Sequence, residues 1–207
     1  MYFDRKCKIT FICHGSTIYS DEFRFSDNES YPPLNEAGQE EIEKICEFLK
    51  KRGVKNDVIY TSSSTRTVQS AKIIAKMYKQ NFEIIEALRP RECGDWNGLT
   101  FEQVEDKYSD VLVNAFTKPD ERFFENCESV KEFVDRTGDT LNKIVENNIG
   151  NRIIIVTYPE VIQAAIISAL DLPVNRISRF FINTGSATQI SYYETWASLK
   201  YSGYVPL

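Results

Sequence analysis

Short runs of β-branched and apolar residues alternate along this chain with longer stretches whose apolar positions recur at helical spacing, and this alternation limits the fold more than any single motif. The run RIIIVT at 152–157 is the strongest strand signal, because β-branched side chains suit a pleated backbone and crowd a helical one. Residues 8–13 (KITFIC) and 57–61 (DVIYT) read the same way, and 82–87 read as a shorter strand. Between them, residues 35–52 place Ile42, Ile45, Cys46 and Leu49 on one helical face, with Gly53 as a stop. Residues 62–78 open on hydroxyl caps and carry Val68, Ala71 and Ala75 at helical spacing. Further helices are expected over 100–108, over 129–148, and over 159–170, where Pro159 suits a first turn. In the second of these, Phe133, Val134, Leu141, Ile144 and Val145 keep the pattern despite Gly138. Strands alternating with helices give an α/β fold with a mostly parallel sheet covered on both faces. Residues 180–193 read as a strand pair that adds an antiparallel edge, and without repeats or long linkers 1–207 reads as a single domain.

The side-chain inventory narrows the function classes. A chain that is 42% hydrophobic and 27% charged can build a substantial core, which argues against disorder. With a net charge of -5 and no basic stripe, nothing draws it to nucleic acid or to an anionic membrane surface, so any phosphate site must be made locally. No stretch approaches the roughly 20 apolar residues of a membrane span. The start, MYFDRKCKITFICHG, breaks its apolar run with charges, so a cytoplasmic protein is expected. Cys7, Cys13, Cys46, Cys93 and Cys127 are odd in number and scattered, which fits reduced thiols packed as small hydrophobes. A lone histidine and no ligand-spaced cysteines make a zinc site an unattractive reading, and no cofactor or metal is expected.

Two local patterns point to phosphate. His14-Gly15 closes the first strand, where a glycine lets the backbone turn and approach a ligand. Arg66 sits in the first turn of a hydroxyl-capped helix entered from a strand, and such a turn attracts anions. Cys13 invites a cysteine-phosphatase reading, but that chemistry needs an arginine six positions on, where Tyr19 stands.

In order along the chain, FICHGST, PPLNEAGQEEIEKICEFLK, VIYTSSSTRTVQSAKII, ALRPRECGDWNGLT with CES, and RIIIVTYPEVIQAAI resemble the successive motifs of the histidine phosphatase (phosphoglycerate mutase-like) superfamily. The resemblance spans nearly the whole chain and implies a three-layer α/β/α sandwich. It implies transfer of a phosphoryl group onto His14, with Arg66 clamping the phosphate and Gly15 beside it. Arginine suits that clamp because its planar fork makes parallel charge-assisted hydrogen bonds. The pattern also departs from the family. Cys13 stands where the first clamping arginine is common, Tyr158 replaces the second histidine, and Pro90 falls where many members carry the proton donor. Glu92 becomes the candidate acid, Arg24 a substitute cation with Arg89 and Arg91 nearby, and Tyr158 a neutral hydrogen-bond donor to phosphate. Glu128 is expected to cap the helix after it.

Two functions follow as expectations. One is a weak phosphomonoesterase acting through a phosphohistidine on a small phosphorylated metabolite. The other is a catalytically silent relative that binds a phosphorylated ligand or a protein partner, since losing one preorganised donor lowers a rate roughly 100- to 1,000-fold. The segment 110–127, with Phe116, Phe123 and Phe124, is expected to cover the pocket as a variable loop.

Overall fold

The computed structural model describes residues 5–26 and 32–206. Tyr31, from the expected polar loop, and the side chain of Phe116 lie outside what is described. Six strands form one sheet: β1 (Arg5–Cys13), β2 (Val58–Thr61), β3 (Glu83–Ile84), β4 (Arg152–Thr157), β5 (Ala187–Tyr193) and β6 (Ala197–Tyr204). Their order is β3-β2-β4-β1-β5-β6. The first four are mutually parallel, and β5 and β6 make the antiparallel edge. The helices are α1 (Ile18–Asp21), α2 (Glu36–Lys51), α3 (Thr65–Tyr78), α4 (Phe101–Thr117), α5 (Val130–Glu146) and α6 (Pro159–Ala169).

Alternation along the central strands builds two cores, which is why β1 and β4 are apolar on both faces. Ile9, Phe11, Ile153 and Ile155 pack toward α5 and α6. Ile12, Ile154 and Val156 pack toward α2 and α3 with Ile42, Ile45, Leu49 and Ile74. The result is the α/β/α sandwich. A third, smaller cluster of Cys93, Trp96, Val104, Leu112 and Ala115 seats α4 outside the sandwich. None of the five cysteines forms a disulfide. Among the described residues no helix is long and apolar enough to cross a membrane.

Three expectations are corrected. The antiparallel pair starts at Ala187 and ends at Tyr204, because residues before it form a turn that reaches back to the first strand. There Gly185 N–H donates to the His14 carbonyl at 3.0 Å, and Cys13 N–H to the Ser186 carbonyl at 2.9 Å. The helix expected to stop at Tyr108 continues to Thr117 across a break at that residue (φ -137°, ψ 32°), so much of the supposed loop 110–127 is helical. Finally, α5 is capped by Ser129, which forms a reciprocal capping box with Glu132; Glu128 is spent elsewhere.

Candidate active site

Strand register brings the site together. Cys13 of β1 pairs with Thr157 of β4, so the residues that follow, His14 and Tyr158, emerge side by side at the carboxyl edge of the sheet. Thr61 of β2 pairs with Val156, which delivers Ser62 and the start of α3 to the same edge. The crevice outside the carboxyl ends of parallel strands is where open α/β sheets bind ligands.

His14 is buried, with its amide held by the Thr157 carbonyl at 3.0 Å. Its Nδ1 lies 2.8 Å from the Gly15 carbonyl oxygen. A carbonyl can only accept, so Nδ1 carries the hydrogen and Nε2 keeps its lone pair. Burial, and then the neighbouring Arg66 charge, lower the imidazole pKa to about 3, against the opposing pull of that hydrogen bond. At neutral pH the ring is therefore uncharged, the form a nucleophile requires.

Arg66 is 2% exposed, and its guanidinium lies over the Tyr158 ring, 4.8 Å from the centroid. The same ring meets His14 edge-on, with centroids 5.6 Å apart. Arg66 also donates to Ser26 Oγ at 3.0 Å. Tyr158 Oη accepts from Ser62 Oγ at 2.9 Å, and Ser62 Oγ lies 2.8 Å from Thr67 Oγ1. The phenol is thus anchored in hydroxyls at the start of α3, and its face supports the arginine. Sequence reasoning assigned this hydroxyl to phosphate and missed the ring's role.

A cavity of about 670 Å³ opens over these groups. Its lining includes His14, Arg66, Tyr158, Arg24 and Arg91, so four residues expected at the site converge with one added cation. Arg24 is held by Glu22 and donates to the Gly98 carbonyl at 2.7 Å. Arg91 donates to the Glu128 carbonyl at 3.3 Å.

Two expected residues do not line the cavity. Glu92 turns its carboxylate to Arg89 at 3.1 Å, and that side chain is 45% exposed. The reason lies in how the loop is tied down: Arg136 donates to the carbonyls of Ala87, Arg89 and Pro90 and grips Glu128 through two 2.7 Å bonds. Glu128 in turn accepts the Glu92 N–H at 3.2 Å, so Pro90 and Arg91 face the cavity while Glu92 points aside. Burial works to raise the Glu128 carboxyl, but Arg136 outweighs it and holds the group below its ordinary pKa. Gly15 is the second. Its N–H donates to Ser70 Oγ at 3.2 Å, and a Cβ there would lie 2.1 Å from the Gly38 carbonyl oxygen. The glycine is required for the close approach of α2.

The lining also holds carboxylates that sequence reasoning passed over: Glu22, Glu102 and Glu160. Glu160 follows Tyr158-Pro159 in the first turn of α6, a position that the strand–helix junction alone could have flagged. Among the described residues no group of three or more His, Cys, Asp or Glu side chains is placed to hold a metal ion.

Residues 9–203 match the family model described as histidine phosphatase superfamily, branch 1. The chain belongs to that superfamily. Phosphoglycerate mutase-like protein 4 of Arabidopsis thaliana is 29% identical over 160 residues, covering 76% of this chain and 68% of that protein. Phosphoserine phosphatase 1 of Hydrogenobacter thermophilus is 24% identical over 161 residues, 77% and 74% of the two chains. The solved structure of Bacillus stearothermophilus YhfR superposes with a TM-score of 0.87 at 22% identity, covering 96% of this chain and 98% of that one, and so supports the fold. Relatives in the histidine phosphatase superfamily are thus phosphatases and mutases. Burial, reinforced by Glu41 and opposed by Arg66, pushes the pKa of the Cys13 thiol far above the usual thiol range. The side chain is fully buried in the core that faces α5 and α6 and does not line the cavity.

Proposed function

We propose that the protein hydrolyses small phosphomonoesters through a phosphohistidine on His14. The observation that carries this reading is a buried, uncharged imidazole, tied at Nδ1 and beside Arg66, at the floor of one cavity. In the first step His14 Nε2 attacks phosphorus while the ester P–O bond breaks, its electron pair staying on the alcohol oxygen. That oxygen takes a proton from a cavity carboxylic acid. Glu160 fits this part better than Glu92: it lines the cavity next to Tyr158 and has no ion-pair partner among the described residues, whereas Glu22 is bound to Arg24. In the second step water attacks phosphorus, the N–P bond breaks, and the carboxylate takes back a proton. Arg66, with Arg24 and Arg91 farther out, balances the charge on the phosphoryl oxygens. The phosphatases and mutases among its relatives support the reaction class.

The neutral Cys13 and Tyr158 favour a second reading, a silent protein that binds a phosphorylated ligand without cleaving it. A single assay separates the two. The protein is expected to release phosphate from p-nitrophenyl phosphate, with inhibition by orthovanadate. Because the His14 pKa is lowered, the nucleophile stays unprotonated as pH falls, so kcat should hold from about pH 7 to about pH 5. Release no faster than in buffer establishes the silent reading. Release whose rate falls through a midpoint near the ordinary imidazole value of about 6.5 shows a solvated histidine instead.

A further inference from the structure

The mouth of the cavity is built unlike its floor. Backbone segments from either side of it pair: Phe101 N–H donates to the Phe23 carbonyl at 3.0 Å, Phe25 N–H to the Leu99 carbonyl at 2.9 Å, and Gly98 N–H to the Phe25 carbonyl at 2.9 Å. This small ribbon presents Phe23, 79% exposed, and Phe101, 45% exposed, with Phe25 between them. Phe25 stacks on Phe101 (centroids 6.3 Å, interplanar 17°) and leans on Trp96 (5.2 Å), so the ribbon is braced. Phe23 has a positive φ of 51°, uncommon for a bulky residue, yet it holds its ring out at the rim. Large aromatic side chains grouped at the lip of a pocket are the features that seat an apolar ligand portion.

Charge at the same rim points the same way. Among the described residues the lining cations are Arg24, Arg66 and Arg91, and the lining acids are Glu22, Glu102 and Glu160. Outside the phosphate end, Arg24 is already matched by Glu22, and Glu102 stands beside Phe101. On the side of Phe23 and Phe101 a second anionic group on the substrate would meet carboxylates, phenyl rings and an Arg24 already matched by Glu22; Arg91, bonded to the Glu128 carbonyl, belongs to the loop of Pro90 and not to this ribbon.

We propose that the ester's alcohol portion is an uncharged aromatic or bulky apolar group, held between Phe23 and Phe101 while the phosphate reaches His14. This rests on the phosphatase reading for the placement of the phosphate. Ethyl phosphate and 2-phenylethyl phosphate release alcohols of similar acidity, so any difference between them reports on the ring; 3-phosphoglycerate carries a carboxylate instead. Affinities measured by calorimetry on the His14→Asn protein, which cannot consume its ligand, test the ligand class apart from turnover. The 2-phenylethyl ester is expected to bind about tenfold or more tighter than either of the others. That advantage should shrink to about twofold in a Phe23→Ala, Phe101→Ala double variant, whose fold is checked by its thermal melt because Phe101 is only 45% exposed. Equal affinities, tighter binding of 3-phosphoglycerate, undetectable binding of the 2-phenylethyl ester, or an advantage that survives the double substitution would each overturn the proposal. Hydrolysis by the unaltered protein is scored separately. Preferential binding without hydrolysis removes the phosphatase reading and keeps the ligand class, whereas hydrolysis with no preference does the reverse.

Discussion

Replacing His14 with asparagine is expected to lower kcat/KM for p-nitrophenyl phosphate by on the order of a thousandfold or more, because removing an enzyme's nucleophile leaves only the contribution of binding and charge stabilisation. Asparagine is the informative substitution. Its amide can still donate toward the Gly15 carbonyl, as Nδ1 does at 2.8 Å, so the strand end should keep its shape while the attacking lone pair is lost. The variant should also withstand mild acid better than the unaltered protein. With the folded His14 pKa at about 3 and an unfolded value near 6.5, the unfolded state takes up a proton first as pH falls between these values. Stability is therefore drained over that window, and removing the imidazole removes the drain. Equal hydrolysis by both proteins, with matching thermal melts, would take His14 out of the reaction.

The second large effect concerns the fold beneath the site. Gly38→Ala should destabilise the protein by about 2 kcal/mol or more, although helix propensity taken alone favours alanine by roughly 1 kcal/mol. A Cβ at Gly38 would lie 2.1 Å from the Ser16 carbonyl oxygen and 2.5 Å from the Ser16 nitrogen. Both are backbone atoms and cannot swing aside. Either α2 retreats or the stretch behind His14 moves, and Ser16 is further fixed to Glu41 of α2 through bonds of 2.7 and 2.8 Å. For a domain of this size such a loss lowers Tm by several degrees, roughly 4–8 °C. A melt at or above that of the unaltered protein would show that this contact is looser than described.

Residues whose role is fixed by neighbours in sequence were the ones that could be read in advance. The strand Arg152–Thr157 announces itself by β-branching, and α2 by Asn35 at its cap and Gly53 past its end. His14 and Arg66 were legible because a strand-end histidine and an arginine in a helix's first turn are each local patterns. Their meeting place was not, since it depends on which residues of β1, β2 and β4 stand in register. Gly15 and Glu92 show where local reading stops. The packing role of Gly15 could not be read locally, because its partner, Gly38, is visible only once α2 has packed. Glu92 looked like an acid because nothing in RPRECG reveals that Arg136 and Glu128 turn it outward. The aromatic rim was hidden for the same reason, with Phe23 and Phe101 brought together by a backbone ribbon between distant segments.

The same physics bears on the two replaced positions. Cys13 keeps β1 apolar toward α5 and α6, and Tyr158, where the resemblance implies a second histidine, offers a ring face that holds Arg66. Under the proposed reaction this concentrates positive charge at the phosphate on few groups, in keeping with the slow turnover expected of this chain.

Trapping the covalent intermediate tests the central claim most directly. The protein would be mixed rapidly with p-nitrophenyl phosphate, quenched without acid, digested, and its peptides examined for bound phosphoryl groups. Because the chain contains one histidine, the assignment is unambiguous. The expected result is an acid-labile phosphoryl group on the peptide that carries His14, formed as the first nitrophenol is released. Phosphate release with that peptide unmodified, or with the phosphoryl group on another residue, would contradict the account.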